Sequence, residues 1–227
     1  DYKDIAGPDY DGYTTDITDM IVTALPDGSF IHTWSTPKDD VFMQKFDVKG
    51  QKVGSKVQLK TPGTADALES NVDVLLNEST GELFVSYVSR SQAEETPGNQ
   101  NVANEIYVQR LGNDLTLEGG AVKVADMTGW VQNVTNWQPR LVSSESNGDY
   151  YLAWTSDIGN TQASFTSYVN VRKFSEDGTP KGDAVTLSGM NKDKLTGFIS
   201  TDDDGSYAVM MDSASGGMGQ TSLTVAI

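Results

Sequence analysis

The sequence predicts an all-β fold, a β-propeller of about four four-stranded antiparallel blades in one domain that covers residues 1–227. Two repeated patterns support this prediction. A polar turn that ends in glycine follows a short apolar run four times, with the glycine at Gly28, Gly81, Gly148 and Gly205. A second turn between apolar runs follows each of the first three. Repeats spaced roughly 50 to 70 residues apart, with four strand-like runs each, are typical of propeller blades.

The first two strands of each repeat, strands a and b, flank the recurring turn. Strand a is predicted at four apolar runs, residues 20–22, 74–76, 141–142 and 198–199. Asp-Gly and Asn-Gly at the turn favour a hairpin with a primed turn, because such turns need positive φ. Strand b is apolar on both faces, so we expect it to be covered on both sides. The single histidine, His32, is expected in the core because it aligns with Val85, Leu152 and Val209.

A second hairpin, of strands c and d, is predicted within residues 41–59, 106–124 and 169–187. The three segments share a large apolar residue, at Phe46, Leu111 and Phe174. They also share a glycine, at Gly54, Gly119 and Gly182. In the fourth repeat, residues 222–227 match strand c, and no strand d follows them in this sequence.

The predicted repeats therefore cover about 17–60, 70–125, 137–188 and 195–227. Three arrangements remain open for the incomplete fourth repeat. The N-terminal residues 1–5 close the ring as its outer strand, or a partner chain supplies that strand, or the four repeats are part of a larger propeller. A β-sandwich is the alternative fold.

Composition excludes several classes of function. The net charge is −16, from 32 acidic and 16 basic residues, and so acidic a chain repels the phosphates of nucleic acids. There is no cysteine, which excludes disulfides and thiolate metal sites. With His32 as the single histidine, Ser-His-Asp and Cys-His catalysis and zinc held by histidines are excluded as well. No apolar stretch approaches the ~18 residues of a membrane span, so we expect no membrane insertion.

The first repeat resembles the degenerate repeats of large secreted bacterial proteins, including adhesins and calcium-dependent RTX-type surface proteins. The residues that carry the resemblance are Leu25, Asp27, Gly28, Phe30 and Trp34, followed by Gln44, Phe46, Asp47, Gly50, Val53 and Gly54. The resemblance implies a blade-like unit and a secreted or cell-surface location. It carries over no catalytic residue, and no sialidase-type S-x-D-x-G-x-x-W sequence is intact.

We expect ligand binding at the rim that carries the variable loops, because variable loops on a rigid scaffold usually bind. These are the b–c loops, residues 35–40, 89–104, 155–168 and 212–221, and the long linker 125–138. The linker supplies the candidates Trp130, Asn133, Trp137 and Gln138, since an exposed indole stacks on a sugar ring and amides bond its hydroxyls. The alternative is that both tryptophans are buried between blades.

The starts of the inner strands offer a second group of candidates, Asn71, Asp73 and Arg140, together with Asp19. Around a central pocket they would bind a charged or polyhydroxyl ligand. The alternative is an ion pair that only fills the channel.

A calcium site is expected at the first acidic cluster, Asp9, Asp11, Asp16 and Asp19, because calcium prefers several carboxylate oxygens on one loop. Their spacing does not match the EF-hand pattern.

Three functions are consistent with these residues. The favoured one is an extracellular module that binds a glycan or another cell-surface ligand without catalysis. The first alternative is a propeller-type glycoside hydrolase or lyase with two carboxylates at the rim, including Asp19 or Asp73. The second is a structural subunit of a larger assembly, completed by a strand from a partner.

Overall fold

The structure is a computed structural model that describes residues 20–36, 40–62, 67–91, 104–127, 139–144, 148–161, 164–186, 190–191, 195–201, 207–213 and 220–226. Every regular element in these residues is a β-strand. In these same ranges no helix has the length and hydrophobicity that crossing a membrane requires.

The strands form four sheets in chain order, which we call blades 1 to 4. Blade 1 contains β1 (Met20–Ala24), β2 (Phe30–Ser35), β3 (Val41–Phe46) and β4 (Lys52–Gln58). Blade 2 contains β5 (Ala67–Leu76), β6 (Leu83–Ser91), β7 (Asn104–Leu111) and β8 (Leu117–Met127). In both blades the strands are antiparallel and neighbours in sequence are neighbours in the sheet.

Blade 3 contains β9 (Arg140–Ser143), β10 (Tyr150–Thr161), β11 (Ser164–Phe174) and β12 (Pro180–Thr186), and the two-residue β13 (Met190–Asn191) also pairs with β11. Blade 4 contains β14 (Leu195–Thr201), β15 (Tyr207–Ser213) and β16 (Gln220–Ala226). The fourth blade thus has three strands among the described residues. Residues 1–5, the predicted closing strand, lie outside them.

The hairpins occur where the sequence predicts them, but the turn type differs from the prediction. In the β1–β2 turn the Gly28 N–H donates to Leu25 O (3.0 Å) and the Leu25 N–H donates to Ser29 O (2.9 Å). Gly28 has φ of 81°, whereas Asp27 is not in the positive-φ region. This is a type I turn followed by a left-handed glycine, with Pro26 at the position that favours proline. The predicted primed turn is wrong because the loop has three residues rather than two.

A second repeated device is a bulge in the outer strand of blades 1 to 3. In blade 1, Lys45 pairs with Val53 and Met43 with Val57, so Gln44 faces the three residues between them. Gly54, within that bulge, has φ of 69°. The buried Gln44 amide donates to Lys45 O (2.9 Å) and Val53 O (3.1 Å) and so ties its own strand to the edge of the bulge.

The same bulge recurs at Gly119 and Gly182. The Gln109 amide donates to Gly119 O (3.3 Å), and the Arg172 guanidinium donates to Gly182 O (3.0 Å). The glycines that the sequence aligns therefore lie in outer-strand bulges, and a polar side chain of strand c fills each bulge.

Successive blades pack face to face in chain order. The face of blade 1 that carries Ile31 and Met43 packs against Val85 and Tyr87 of blade 2 in one buried cluster. We call a face that packs against the following blade a forward face, and its opposite a rear face. The forward face of blade 2, with Phe84, packs in turn against the rear face of blade 3 in a second cluster.

Blade 4 continues the row, because β14 packs on blade 3 and the Thr201 hydroxyl donates to Ser143 O at 2.5 Å. Successive sheets packed face to face confirm the predicted β-propeller and rule out a β-sandwich of two facing sheets. Within the described ranges, blades 1 and 4 make no extensive contact with each other.

One predicted loop is a β-hairpin in the structure. Residues 155–168 were expected to form a variable loop, yet β10 and β11 run through most of them as a continuous hairpin with Ser156 opposite Tyr168. The expectation failed because residues 156–163 are polar and lack apolar alternation, although the register of β10 and β11 extends through them. His32 is 9% exposed, which agrees with its predicted core position.

Candidate functional site

The inner strands bring Asp73 and Arg140 together, as the sequence predicts. Asp73 on β5 pairs with Ser86, and Arg140 on β9 pairs with Ala153, which is the equivalent level of the neighbouring blade. Arg140 Nη1 lies 3.7 Å from Asp73 Oδ1, and the Leu141 N–H donates to Asp73 Oδ2 at 2.8 Å. Both carboxylate oxygens thus join blade 2 to blade 3.

Partial burial of Asp73 and Arg140 determines the pKa of the Asp73 carboxyl at this contact. The Asp73 side chain is 16% exposed and that of Arg140 is 32% exposed. Burial raises the pKa of Asp73 above its usual value, although the Leu141 amide and the Arg140 charge oppose the rise.

Asn71 lies on a bulge directly beside this contact. The pairing of β5 with β6 shifts between Ser70 and Asp73, and Asn71 has φ of 51°. Apart from glycine, only Asn71 and Leu115 have positive φ among the described residues. Bulges next to functional sites re-aim side chains, and asparagine tolerates the left-handed region better than most residues.

Glu69 is a fully buried carboxyl that the sequence did not indicate. Its Oε1 accepts from the Thr61 N–H at 3.1 Å, while its Oε2 has no hydrogen-bond partner in the described part of the chain. Burial raises the pKa of Glu69, and the Thr61 hydrogen bonds only partly offset this. Nearby, burial also raises the pKa of the Tyr87 hydroxyl, and the Glu69 charge raises it further.

Glu69 was missed because β5 is longer than the sequence predicts. Strand a of the second repeat was predicted at residues 74–76, whereas β5 begins at Ala67. The bulge at Asn71 shifts the alternation by one residue, so the pattern before it no longer matches the pattern after it. A raised pKa keeps this carboxyl protonated to higher pH than an exposed glutamate, which is the direction of shift that a general acid needs.

A cavity of about 540 Å³ lies at the opposite rim, between blades 2 and 3. Leu75 and Phe84 form part of its apolar lining. Three residues of the lining carry buried polar atoms that have no hydrogen-bond partner within the described chain: Asn77 Nδ2, Ser144 Oγ and the Tyr150 hydroxyl. The sequence did not predict this cavity, since only short regular turns were expected at that rim.

Asp149 forms the charged edge of the same cavity. Its side chain is 4% exposed, and its carboxylate lies 2.7 Å from Lys181 Nζ and 3.0 Å from Lys173 Nζ. Burial acts to raise the pKa of Asp149, but the two ammonium groups outweigh it and hold the pKa below its usual value. This triad ties the β9–β10 turn to β11 and β12 within blade 3.

The remaining predicted site residues are not tested. Trp130, Asn133, Trp137 and Gln138 lie outside the described residues, as do Asp9, Asp11, Asp16 and Asp19. In the ranges that are described, no three histidine, cysteine or carboxylate side chains are grouped so as to hold a metal ion. Asp73 and Arg140 are the predicted candidates that the structure brings into contact.

Comparison with known proteins gives a likeness in fold. No family model and no curated protein matches this sequence. The structure is similar to an endo-arabinase from Bacteroides thetaiotaomicron, with a TM-score of 0.53 and 16% identity over 94% of this chain and 76% of that chain. It is also similar to a Hadza microbial sialidase, with a TM-score of 0.55 and 13% identity over 90% of this chain and 43% of that chain.

A third similar structure is an N-acetylgalactosamine deacetylase from F. plautii in complex with blood group B trisaccharide. Its TM-score is 0.52 and its identity 10%, over 88% of this chain and 65% of that chain. The chain therefore spans less than two thirds of the sialidase and the deacetylase. At these identities the likeness concerns the fold alone, and what this chain shares with the three proteins is an all-β architecture of the propeller type.

Proposed function

We propose that this chain is a glycan-binding module of a secreted or cell-surface protein, with its binding site at the loop rim around Asn71, Asp73 and Arg140. The observation that carries the proposal is the left-handed bulge at Asn71, held directly beside an inter-blade carboxylate–guanidinium contact. Left-handed backbone at a residue other than glycine clusters at active sites and ligand clamps.

The chemistry of these three side chains suits a sugar. A hydroxyl group both donates and accepts hydrogen bonds, so it pairs with a carboxylate, a guanidinium and an amide at once. Three proteins of similar fold act on or bind carbohydrates by name: an arabinase, a sialidase and a deacetylase in complex with a trisaccharide. The proposal keeps Trp130 and Trp137 as stacking surfaces and Asn133 and Gln138 as amide partners.

A binding measurement with Asn71→Gly tests the site. Glycine adopts the left-handed conformation without strain, so the variant removes the amide and leaves the bulge intact. Screening on a glycan array, followed by calorimetry on the best ligand, is expected to show about tenfold weaker binding for Asn71→Gly. Ser79→Ala, at the opposite rim, is the control and should bind like the wild type. Equal affinity of Asn71→Gly and wild type would place the site elsewhere.

A glycoside hydrolase is the second candidate, and the raised pKa values of Glu69 and Asp73 favour it. One carboxyl that stays protonated and a second that ionises are the pair that glycoside hydrolysis uses. Hydrolysis of arabinan, galactan and sialosides should be assayed in the wild type and in Glu69→Gln and Asp73→Asn. A loss of about a hundredfold or more in both variants supports catalysis, and absence of turnover in the wild type dismisses it.

The calcium site and the resemblance to adhesin and RTX-type repeats belong to the same proposal. Asp9, Asp11, Asp16 and Asp19 supply four carboxylates within the first residues of the chain, ahead of β1. Calcium removal by EDTA is expected to lower the unfolding temperature and the glycan affinity. If neither quantity changes, the calcium proposal fails while the glycan proposal stands.

A further inference from the structure

The cavity between blades 2 and 3 has the size of a small-molecule site. Its volume of about 540 Å³ is far above the ~30 Å³ that one water molecule occupies in the liquid, and it falls within the roughly 300–1,000 Å³ of ligand pockets. Asn77 lines it, and six positions of extended chain separate this residue from Asn71, which is roughly 15–20 Å along the strand. The cavity is therefore distinct from the loop-rim site.

Three side chains in the wall of this cavity each have one buried polar atom without a hydrogen-bond partner in the described chain. The atoms are Asn77 Nδ2, Ser144 Oγ and the Tyr150 hydroxyl oxygen, and all three residues are more than nine-tenths buried. The orientation of the Asn77 amide is fixed, because its Oδ1 accepts from the Ser79 N–H (3.0 Å) and from the Ser79 hydroxyl (2.7 Å). Buried polar atoms are normally hydrogen-bonded, so three unpaired ones around one cavity indicate that its contents supply the partners.

The interface between blades 1 and 2 is apolar at the same level. At the position that starts the turn between strands a and b, blade 1 has Leu25, and blade 2 has Leu83 where blade 3 has Tyr150. Both leucines are buried in one cluster with Leu115, which adopts φ of 68° where the equivalent turn of blade 3 has Gly178. The polar wall between blades 2 and 3 is thus a property of its own residues rather than of the fold.

The charges of the lining favour a neutral ligand. Glu78 and Asp149 are its charged residues, and no lysine or arginine belongs to the lining that the structure describes, so an anion would be repelled. A cation would gain little, because Asp149 already contacts Lys173 and Lys181 and the Asn77 Nδ2 group presents only donors.

The hydrogen-bonding groups favour a ligand that carries hydroxyls. A ligand hydroxyl can accept from the Asn77 amide and can either donate to or accept from Ser144 and Tyr150. Burial raises the pKa of the Tyr150 hydroxyl, which keeps it neutral. Leu75 and Phe84 add an apolar wall for the C–H groups of the ligand. Folding has already removed the three polar atoms from water, so a ligand that reaches them costs the protein no further desolvation there.

We propose that this cavity binds a neutral polyhydroxyl molecule of about monosaccharide size, at a second site that does not depend on the proposed glycan site at the loop rim. Asn77 donates to a ligand oxygen, and the hydroxyls of Ser144 and Tyr150 bond to the ligand's hydroxyls. Ser79 takes no part, because its hydroxyl is already bonded to Asn77 Oδ1 and to Glu176 Oε1 at 3.2 Å.

Proton–nitrogen NMR of the full chain tests the proposal through the side-chain amide signal of Asn77. Asn77→Asp identifies this signal, because a carboxylate keeps the acceptor for Ser79 and removes the NH2 group. The probes are galactose, arabinose and the acyclic polyol sorbitol. At least one of them is expected to shift the signal in a saturable way.

Two variants that each remove one hydroxyl assign the binding to the cavity. Tyr150→Phe keeps the ring that stacks on Phe174 at 5.1 Å, and Ser144→Ala changes a single atom. Each should raise the dissociation constant of the probe about tenfold, as the loss of one hydrogen bond predicts. The control is Tyr107→Phe, which removes a hydroxyl that donates to Glu105 (2.6 Å) from the cluster between blades 1 and 2 and should leave the affinity unchanged.

Two outcomes would overturn the proposal. If none of the three probes gives a saturable shift, the cavity holds water only. If the shift is as strong in Tyr150→Phe and Ser144→Ala as in the wild type, the probe binds elsewhere. Circular dichroism verifies folding, and Ser144→Ala alone decides the matter if Tyr150→Phe does not fold. Asn71→Gly should leave this titration unchanged, so failure of the loop-rim site and failure of the cavity site are told apart.

Discussion

Replacing Gln44 with methionine should destabilise the protein by about 2–3 kcal/mol. Methionine has a similar volume but donates no hydrogen bond, so Gln44→Met preserves the packing and removes the hydrogen bonds that the amide donates to the bulge. The structure gives two well-formed bonds, to Lys45 O at 2.9 Å and Val53 O at 3.1 Å. Each contributes about 1 kcal/mol net, and a third, longer bond from the same amide to Gly54 O (3.5 Å) adds to the cost.

Urea unfolding followed by circular dichroism measures this change through the midpoint at constant slope. Gln58→Met is the matched control, because Gln58 makes one bond, to the half-exposed Asp40 carboxylate at 2.7 Å, and its loss should cost about 0.5 kcal/mol. Gln109→Met, in the equivalent bulge of blade 2, should behave like Gln44→Met. A cost for Gln44→Met no larger than that of Gln58→Met would refute the view that this side chain holds the outer strand in place.

Three further predictions follow from buried charge and backbone strain. The folded state holds the Glu69 proton more tightly than the unfolded chain does, so the free energy of unfolding should fall as pH rises above about 4.3. Glu69→Gln should remove that decline in the unfolding temperature, and a variant with the wild-type pH profile would contradict this prediction. The lowered pKa of Asp149 stabilises the fold above about pH 3.9 and this stability is lost as pH falls, so Asp149→Asn should cost about 2 kcal/mol at neutral pH and little in acid, allowing for its partly exposed lysine partners. Gly54→Ala, at positive φ in open space, should lower the free energy of unfolding by about 1 kcal/mol. Gly28→Ala should lower it further, because its new methyl group would also lie 3.1 Å from Val48 Cγ1, and equal losses in the two variants would show that this contact relaxes.

Local patterns in the sequence were sufficient for much of the fold. The hairpins around Gly28 and Gly81 follow from turn chemistry and flanking apolar runs, and their register follows from alternation. The turn type did not follow, since it depends on whether two or three residues close the loop. The hairpin of β10 and β11 was missed because its outer half is held by backbone pairing, with a polar sequence that shows no periodicity.

The candidate site was predictable only where neighbouring strands fix the distance. Asp73 and Arg140 were chosen because both lie at the starts of inner strands, and the structure shows them in contact as an ion pair, which was the stated alternative to ligand binding. Glu69 was missed because the bulge at Asn71 interrupts the pattern of β5. The cavity beside Tyr150 depends on the gap between two sheets, which no local pattern in a sequence encodes.

The outer-strand bulges also bear on how this protein stays dispersed. β4, β8 and β12 are edge strands, with a free row of backbone groups that another chain could extend into a continuous fibre-like sheet. The left-handed residue at Gly54, Gly119 and Gly182 interrupts that row in each blade and leaves no flat template for addition. The outer edges of blades 1 to 3 are thereby protected against edge-to-edge aggregation, without giving up the extended strands that these blades need.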